Sequence, residues 1–108
     1  MKQTLKQPYK QFFGTIANPV RLDIIEYLQK QASNVNGISK HLKYNQSTIS
    51  HSLSRLEKCG FVTVERKGKE RIYTLNQETI RPLFRLMQNH MTKYCAHIVA
   101  EKNGKGCC

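Results

Sequence analysis

Two sets of residues in this chain have the types and spacing to do chemistry. The first is a run of short polar side chains, NQSTISHSLSRL, at residues 45–56. It carries Gln46, Ser47, Thr48, Ser50, His51 and Ser54, with Arg55 beside them. These groups donate and accept hydrogen bonds at close range and have little chain to order. They are mediocre helix formers, yet Ile49, Leu53 and Leu56 recur among them at i, i+4 and i+7, the spacing of one buried helical stripe. A helix with such an outer face is suited to reading polar groups on another molecule. The other reading is an ordinary polar helix face.

The second set is the cysteines. There are four, Cys59, Cys95, Cys107 and Cys108, three of them within the last 14 residues. Cys95, Cys107 and Cys108 offer three soft sulfur ligands suited to As(III), Sb(III) or Cd(II). The 11 residues between Cys95 and Cys107 include Asn103, Gly104 and Gly106, which would let the tail fold back or reach a second subunit. The same thiols could instead pair oxidatively, Cys95 with either tail cysteine, or stand idle. Cys59 is expected toward the buried side of its helix as a small core residue.

Bulk properties limit what these groups can serve. Lys and Arg number 18 against 7 Asp and Glu, a formal net charge of +11 over 108 residues. Such a chain seeks a polyanion, with nucleic acid the first candidate and an anionic membrane surface the second. A basic protein with neither partner is the bland reading. The N-terminal MKQTLKQPYK has no apolar run, and no stretch approaches transmembrane length, so the sequence predicts a cytoplasmic protein with reduced thiols and no membrane partner. No glycine-rich phosphate loop, paired carboxylates or nucleophile with an adjacent base is visible, so no enzymatic activity is expected. The chain is small for a self-sufficient core, and a second copy would extend the buried surface.

The elements that must position these residues can be read in order. A first helix is expected over 5–16, with Leu5, Phe12, Phe13 and Ile16 as apolar positions. Asn18 can cap a second, 19–31, with Pro19 in its first turn and a stripe of Val20, Ile24, Tyr27 and Leu28 widened by Leu22 and Ile25. Asn34 can cap a third, 35–42, packed through Val35, Ile38 and Leu42. After the turn Lys43-Tyr44-Asn45, a fourth helix is expected over 46–59, closed by Gly60. The last two helices and their turn make a helix-turn-helix.

Alternation in GFVTVERKGKERIYTL then predicts a β-hairpin, with Phe61, Val62 and Val64 on one strand and Ile72, Tyr73 and Leu75 on the other. Arg66-Lys67-Gly68-Lys69 is expected as its basic turn. A last helix, 80–99, has Thr79 as cap and a stripe of Leu83, Met87, Met91, Tyr94 and Ile98, which Phe84, Cys95 and Val99 extend. The fold class is therefore mainly α with a small hairpin. Residues 1–100 form one domain and 101–108 a flexible cysteine-containing tail.

This order gives the polar helix a use. Short donors and acceptors suit a helix laid in the major groove of duplex DNA, and the segment 45–56 has no acidic side chain to repel phosphate. Ser47, Ser50 and His51 are the strongest candidates for base or phosphate contacts, with Gln46, Thr48 and Ser54 around them and Arg55 reaching phosphate. On the hairpin, Arg66, Lys67, Lys69 and Arg71 would contact backbone or minor groove, adding affinity more than specificity.

The segments ANPVRLDIIEYL, NQSTISHSLSRLEKCGFV and RKGKERIYTL resemble the ArsR-type (ArsR/SmtB) winged-helix repressors over about residues 8–95. The resemblance implies a winged helix-turn-helix homodimer joined through its first and last helices, operator binding by the fourth helix and wing, and release when an inducer binds. Sensor sites in that family vary in position. A Cys-x-Cys on the third helix is absent here, where the helix reads VNGISKHL. A His and carboxylate set on the last helix would be incomplete, with His90, His97 and Glu101 but no Asp. Cys95, Cys107 and Cys108 remain as an inducer site.

The expectation is thus a transcriptional repressor that needs no cofactor to bind operator DNA and is released by a soft metal or metalloid on cysteine thiolates. A thiol-redox-responsive regulator, a constitutive one and a thiol-based metal carrier are the alternatives.

Overall fold

The structure, a computed structural model, describes residues 6–95. Its elements run α1 (Lys6–Ile16), α2 (Pro19–Lys30), α3 (Val35–Leu42), α4 (Gln46–Lys58), β1 (Val62–Lys67), β2 (Glu70–Leu75) and α5 (Ile80–Tyr94). The chain divides into two units, Met1–Asn76 and Gln77–Cys108.

In the first unit, three asparagines start three helices. Asn18 Oδ1 accepts from the Arg21 N–H at 3.1 Å, Asn34 Oδ1 from Gly37 N–H at 2.8 Å, and Asn45 Oδ1 from Thr48 N–H at 2.8 Å. Each satisfies a first-turn amide that would otherwise lack an acceptor. Pro19 occupies the first helical turn of α2, where its missing N–H costs nothing. Lys43 ends α3 in the left-handed region at φ 65, which turns the chain sharply into α4.

The core of this unit is drawn from every element after α1. Ile24, Ile25 and Leu28 of α2, Ile38 of α3, and Ile49, Leu53 and Leu56 of α4 are buried together with Phe61, Val62, Tyr73 and Leu75. Leu22, expected to widen the α2 stripe, is exposed instead. On α1 the buried residue is Thr15, while Phe13 is exposed and stacks on Tyr9. Phe12 lies against Phe61, ring centroids 5.1 Å apart, and Arg21 Nη1 donates to the Thr15 carbonyl at 2.9 Å.

The hairpin pairs Val62 with Leu75 through Lys67 with Glu70. The expected four-residue basic turn is therefore too long. Arg66 and Lys67 belong to β1, and only Gly68 and Lys69 turn, with Gly68 at φ 67. A two-residue hairpin needs a left-handed residue, and glycine adopts that conformation without steric cost. Beyond the hairpin, Ser33 and Tyr73 exchange backbone hydrogen bonds of 3.1 and 2.8 Å, which pins β2 to the link between α2 and α3.

In the second unit, α5 ends at Tyr94, short of the expected residue 99, and Cys95 closes it through an N–H bond to the Met91 carbonyl. Thr79 precedes the helix but makes no capping side-chain hydrogen bond, since its backbone is not in the extended conformation a cap requires. Ile80 and Phe84 are buried; Leu86, Met91 and Tyr94 are exposed. Leu5, Ile98, Val99 and the expected tail at 101–108 lie outside the described residues. No helix among the described residues is long and apolar enough to cross a membrane.

Candidate nucleic-acid interface

The geometry of α4 follows from its two faces. Ile49, Leu53 and Leu56 are fully buried and fix its rotation about its axis. That rotation leaves Gln46, Ser47, Ser50, His51, Ser54 and Arg55 exposed and Thr48 half-buried. The side chains of Ser50, His51 and Ser54 make no hydrogen bond to other described residues, so their polar groups are available to an outside partner. Gln46 and Ser47 are already engaged. Gln46 Nε2 donates to Asn36 Oδ1 on α3 at 2.9 Å, and Ser47 Oγ donates to Asn45 Oδ1 at 3.0 Å. Their remaining lone pairs and N–H groups still face solvent.

The position of α4 against α2 is held by Tyr44, whose Oη donates to Asp23 Oδ2 at 2.8 Å. The Ser39 hydroxyl donates to the Tyr44 carbonyl and closes the turn. The hydrogen bond to Asp23, helped by burial and by the carboxylate charge, raises the Tyr44 phenol above its ordinary value of 10.0. Neither contact was visible in the sequence, because residues 23 and 44 share no periodic pattern.

On the hairpin, Arg66, Lys67, Lys69 and Arg71 are all exposed. Arg66 sits directly opposite Arg71. Like charges facing each other across a ladder are destabilising in isolation, and a polyanion would relieve that repulsion. Lys67 faces Glu70, a pairing of opposite charges. The basic groups thus concentrate at the tip, one element away from the polar face of α4.

The cysteines divide differently from expectation. Cys59 is exposed with a free thiol, not a core residue. The α4 helix ends one residue before it, and its Sγ lies 3.5 Å from Thr15 Oγ1. Cys95 is buried and disulfide-bonded. Cys107 and Cys108 of the expected ligand set, with His97 and Glu101, lie outside the described residues. Among the described residues no three His, Cys, Asp or Glu side chains cluster as metal ligands. His90 contacts Tyr94, ring centroids 4.9 Å apart.

Four helices, a two-stranded wing and an exposed polar helix after a tight turn define the winged helix-turn-helix class of DNA-binding domains. The model of the bacterial regulatory protein arsR family matches residues 18–64. An uncharacterized HTH-type transcriptional regulator of Methanocaldococcus jannaschii is 31% identical over 78 residues, covering 71% of this chain and 88% of that protein. The chain belongs to the arsR family. A transcriptional repressor SmtB homolog of Synechocystis is 28% identical over 85 residues, 79% of this chain. That match spans 64% of the repressor's own length. The solution structure of a homodimeric winged helix-turn-helix DNA-binding domain from Mycobacterium bovis, a possible ArsR-family regulator, superposes with a TM-score of 0.81 at 27% identity. The superposition covers 89% of each chain.

Proposed function

We propose that the protein is a transcriptional repressor that binds duplex operator DNA as a homodimer. The observation that carries this reading is the outer face of α4, where Ser50, His51 and Ser54 are exposed and unbonded among the described residues while the apolar face is fully buried. The α4 helix enters the major groove, and the wing lays Arg66, Lys67, Lys69 and Arg71 on the flanking backbone or minor groove. Exposed apolar side chains on α1 (Tyr9, Phe13) and α5 (Leu86, Met91, Tyr94) supply the surface for a second copy. The Mycobacterium bovis relative, itself homodimeric, supports that assembly.

The inducer in this reading is a soft metal or metalloid such as As(III), Sb(III) or Cd(II), bound by Cys95, Cys107 and Cys108 as thiolates. DNA binding itself needs no cofactor. One observation favours a second reading of the switch: Cys95 is disulfide-bonded, and a disulfide sulfur is no thiolate ligand. In that case oxidation, not metal, releases the operator. The test of the main reading is selection of bound duplexes from a random-sequence pool at low salt. Enrichment of a two-fold symmetric sequence is expected, and failure to retain any duplex would end the proposal.

A further inference from the structure

A recess of about 470 Å³ lies between the N-terminus of α2 and the near side of α4. Its α2 wall is Asn18, Val20 and Arg21, and Thr48, His51 and Ser52 contribute on α4. No carboxylate among the described residues lines it. Three of the groups that border it keep donors not taken up by other described residues. In the first turn of α2, Pro19 has no N–H and Arg21 N–H is taken by the Asn18 cap, so the Val20 N–H is left with no acceptor among the described residues. Ser52 is only 8% exposed, yet its hydroxyl bonds to no other described residue. The hydroxyl is open to the recess rather than sealed from it, so an acceptor entering there can bond to it. Arg21 spends one guanidinium nitrogen on the Thr15 carbonyl and keeps its other N–H groups, and no carboxylate among the described residues neutralises it.

We propose that this recess receives one backbone phosphate of the bound duplex, held by the Val20 N–H, the Ser52 hydroxyl and the Arg21 guanidinium. The chemistry fits an oxyanion: a helix N-terminus and a cation border the recess on the α2 side and a hydroxyl donor borders it on the α4 side. DNA is the source because Thr48 and His51 belong both to the recess and to the groove face of α4. A strand whose bases lie against that face places its sugar-phosphate edge at the mouth. The contact fixes register and adds affinity without reading sequence.

This assignment rests on the DNA-binding reading, and the experiment separates the two. The full chain and its Arg21→Gln and Ser52→Ala variants are titrated with the duplex selected by the wild type, at several salt concentrations. Arg21→Gln should lower the slope of log K against log salt by about 0.9 per protomer. Ser52→Ala should keep the slope and weaken binding roughly tenfold, the scale of one hydrogen bond to a charged acceptor. Single methylphosphonates placed along the duplex provide a readout that does not depend on Arg21→Gln folding. One position per half-site should weaken the wild type by more than it weakens Ser52→Ala, which has already lost one of the contacts to that phosphate. A folded Arg21→Gln protein with the full salt slope would overturn the assignment, as would methylphosphonate sensitivity equal in the wild type and Ser52→Ala. If the wild type binds no duplex, the DNA-binding reading itself fails.

Discussion

Tyr44, the residue before the α4 cap, donates a 2.8 Å hydrogen bond to Asp23 on α2. The bond ties the helix-turn-helix turn to the helix behind it, so the angle at which α4 is presented depends on a contact outside the motif. It holds only while the phenol keeps its proton. The folded-state value of Tyr44 is raised, so its contribution is complete below the ordinary value of 10.0 and is lost as pH rises through the raised value. Tyr44→Phe should therefore lower stability at neutral pH, and the two proteins should converge in strongly alkaline solution. Urea midpoints across that range check this.

The cap on α4 makes a prediction with two separable parts. Asn45 Oδ1 accepts from both the Thr48 N–H and the Ser47 hydroxyl. Asn45→Ala should cost about 1 kcal/mol of stability, the usual worth of a cap. Asn45→Asp should keep the cap but place a negative charge beside phosphate. It should melt like the wild type while binding DNA more weakly, as thermal denaturation and a binding titration would show together.

The wing should contribute affinity to any duplex. Replacing Lys67 and Lys69 with Ala should weaken specific and non-specific binding alike. It should also flatten the salt dependence by roughly one unit of slope for each phosphate no longer neutralised. Fluorescence anisotropy with selected and scrambled duplexes provides the measurement. Retention of the full slope would remove the wing from the interface.

For the switch, Cys95→Ser and a chain stopped at Gly106 should still bind operator, because neither touches residues 45–71. Both should lose release by As(III), since Cys95→Ser leaves two thiolates and the shortened chain one, and fewer than three hold a thiophilic ion less tightly; the release seen in the wild type should weaken at low pH as protons compete for sulfur. Cys59→Ser should respond like the wild type, because that thiol is exposed at the far end of α4. Release by oxidant alone, reversed by reductant, would favour the disulfide reading. An As(III) titration of operator affinity in all four proteins separates these outcomes.

What the sequence disclosed and what it concealed follow from the range of the interactions. Asn18, Asn34 and Asn45 were legible as caps because a cap bonds to an amide three residues on. The α4 stripe was legible because Ile49, Leu53 and Leu56 keep helical spacing. The wing was drawn with too long a turn because Arg66 and Lys67 are as basic as the turn itself, and only the pairing partners Arg71 and Glu70 reveal them as strand. Cys59 was misplaced because extending the stripe by three from Leu56 assumes that the helix continues, and it ends at Lys58. Leu22 is apolar but faces solvent, which composition cannot reveal. Tyr44–Asp23, Ser33–Tyr73 and the recess with Ser52 join segments distant in sequence and leave no local pattern.

The central claim is that the outer face of α4 reads bases. The direct measurement is the ratio of affinities for the selected duplex and a scrambled duplex, taken for the wild type, Ser50→Ala and His51→Ala at one salt concentration. Removing a base-reading side chain should lower that ratio by a factor corresponding to about 1–3 kcal/mol while leaving affinity for the scrambled duplex nearly unchanged. Equal ratios in all three proteins would show that these side chains do not read sequence, and the account of α4 would have to be abandoned.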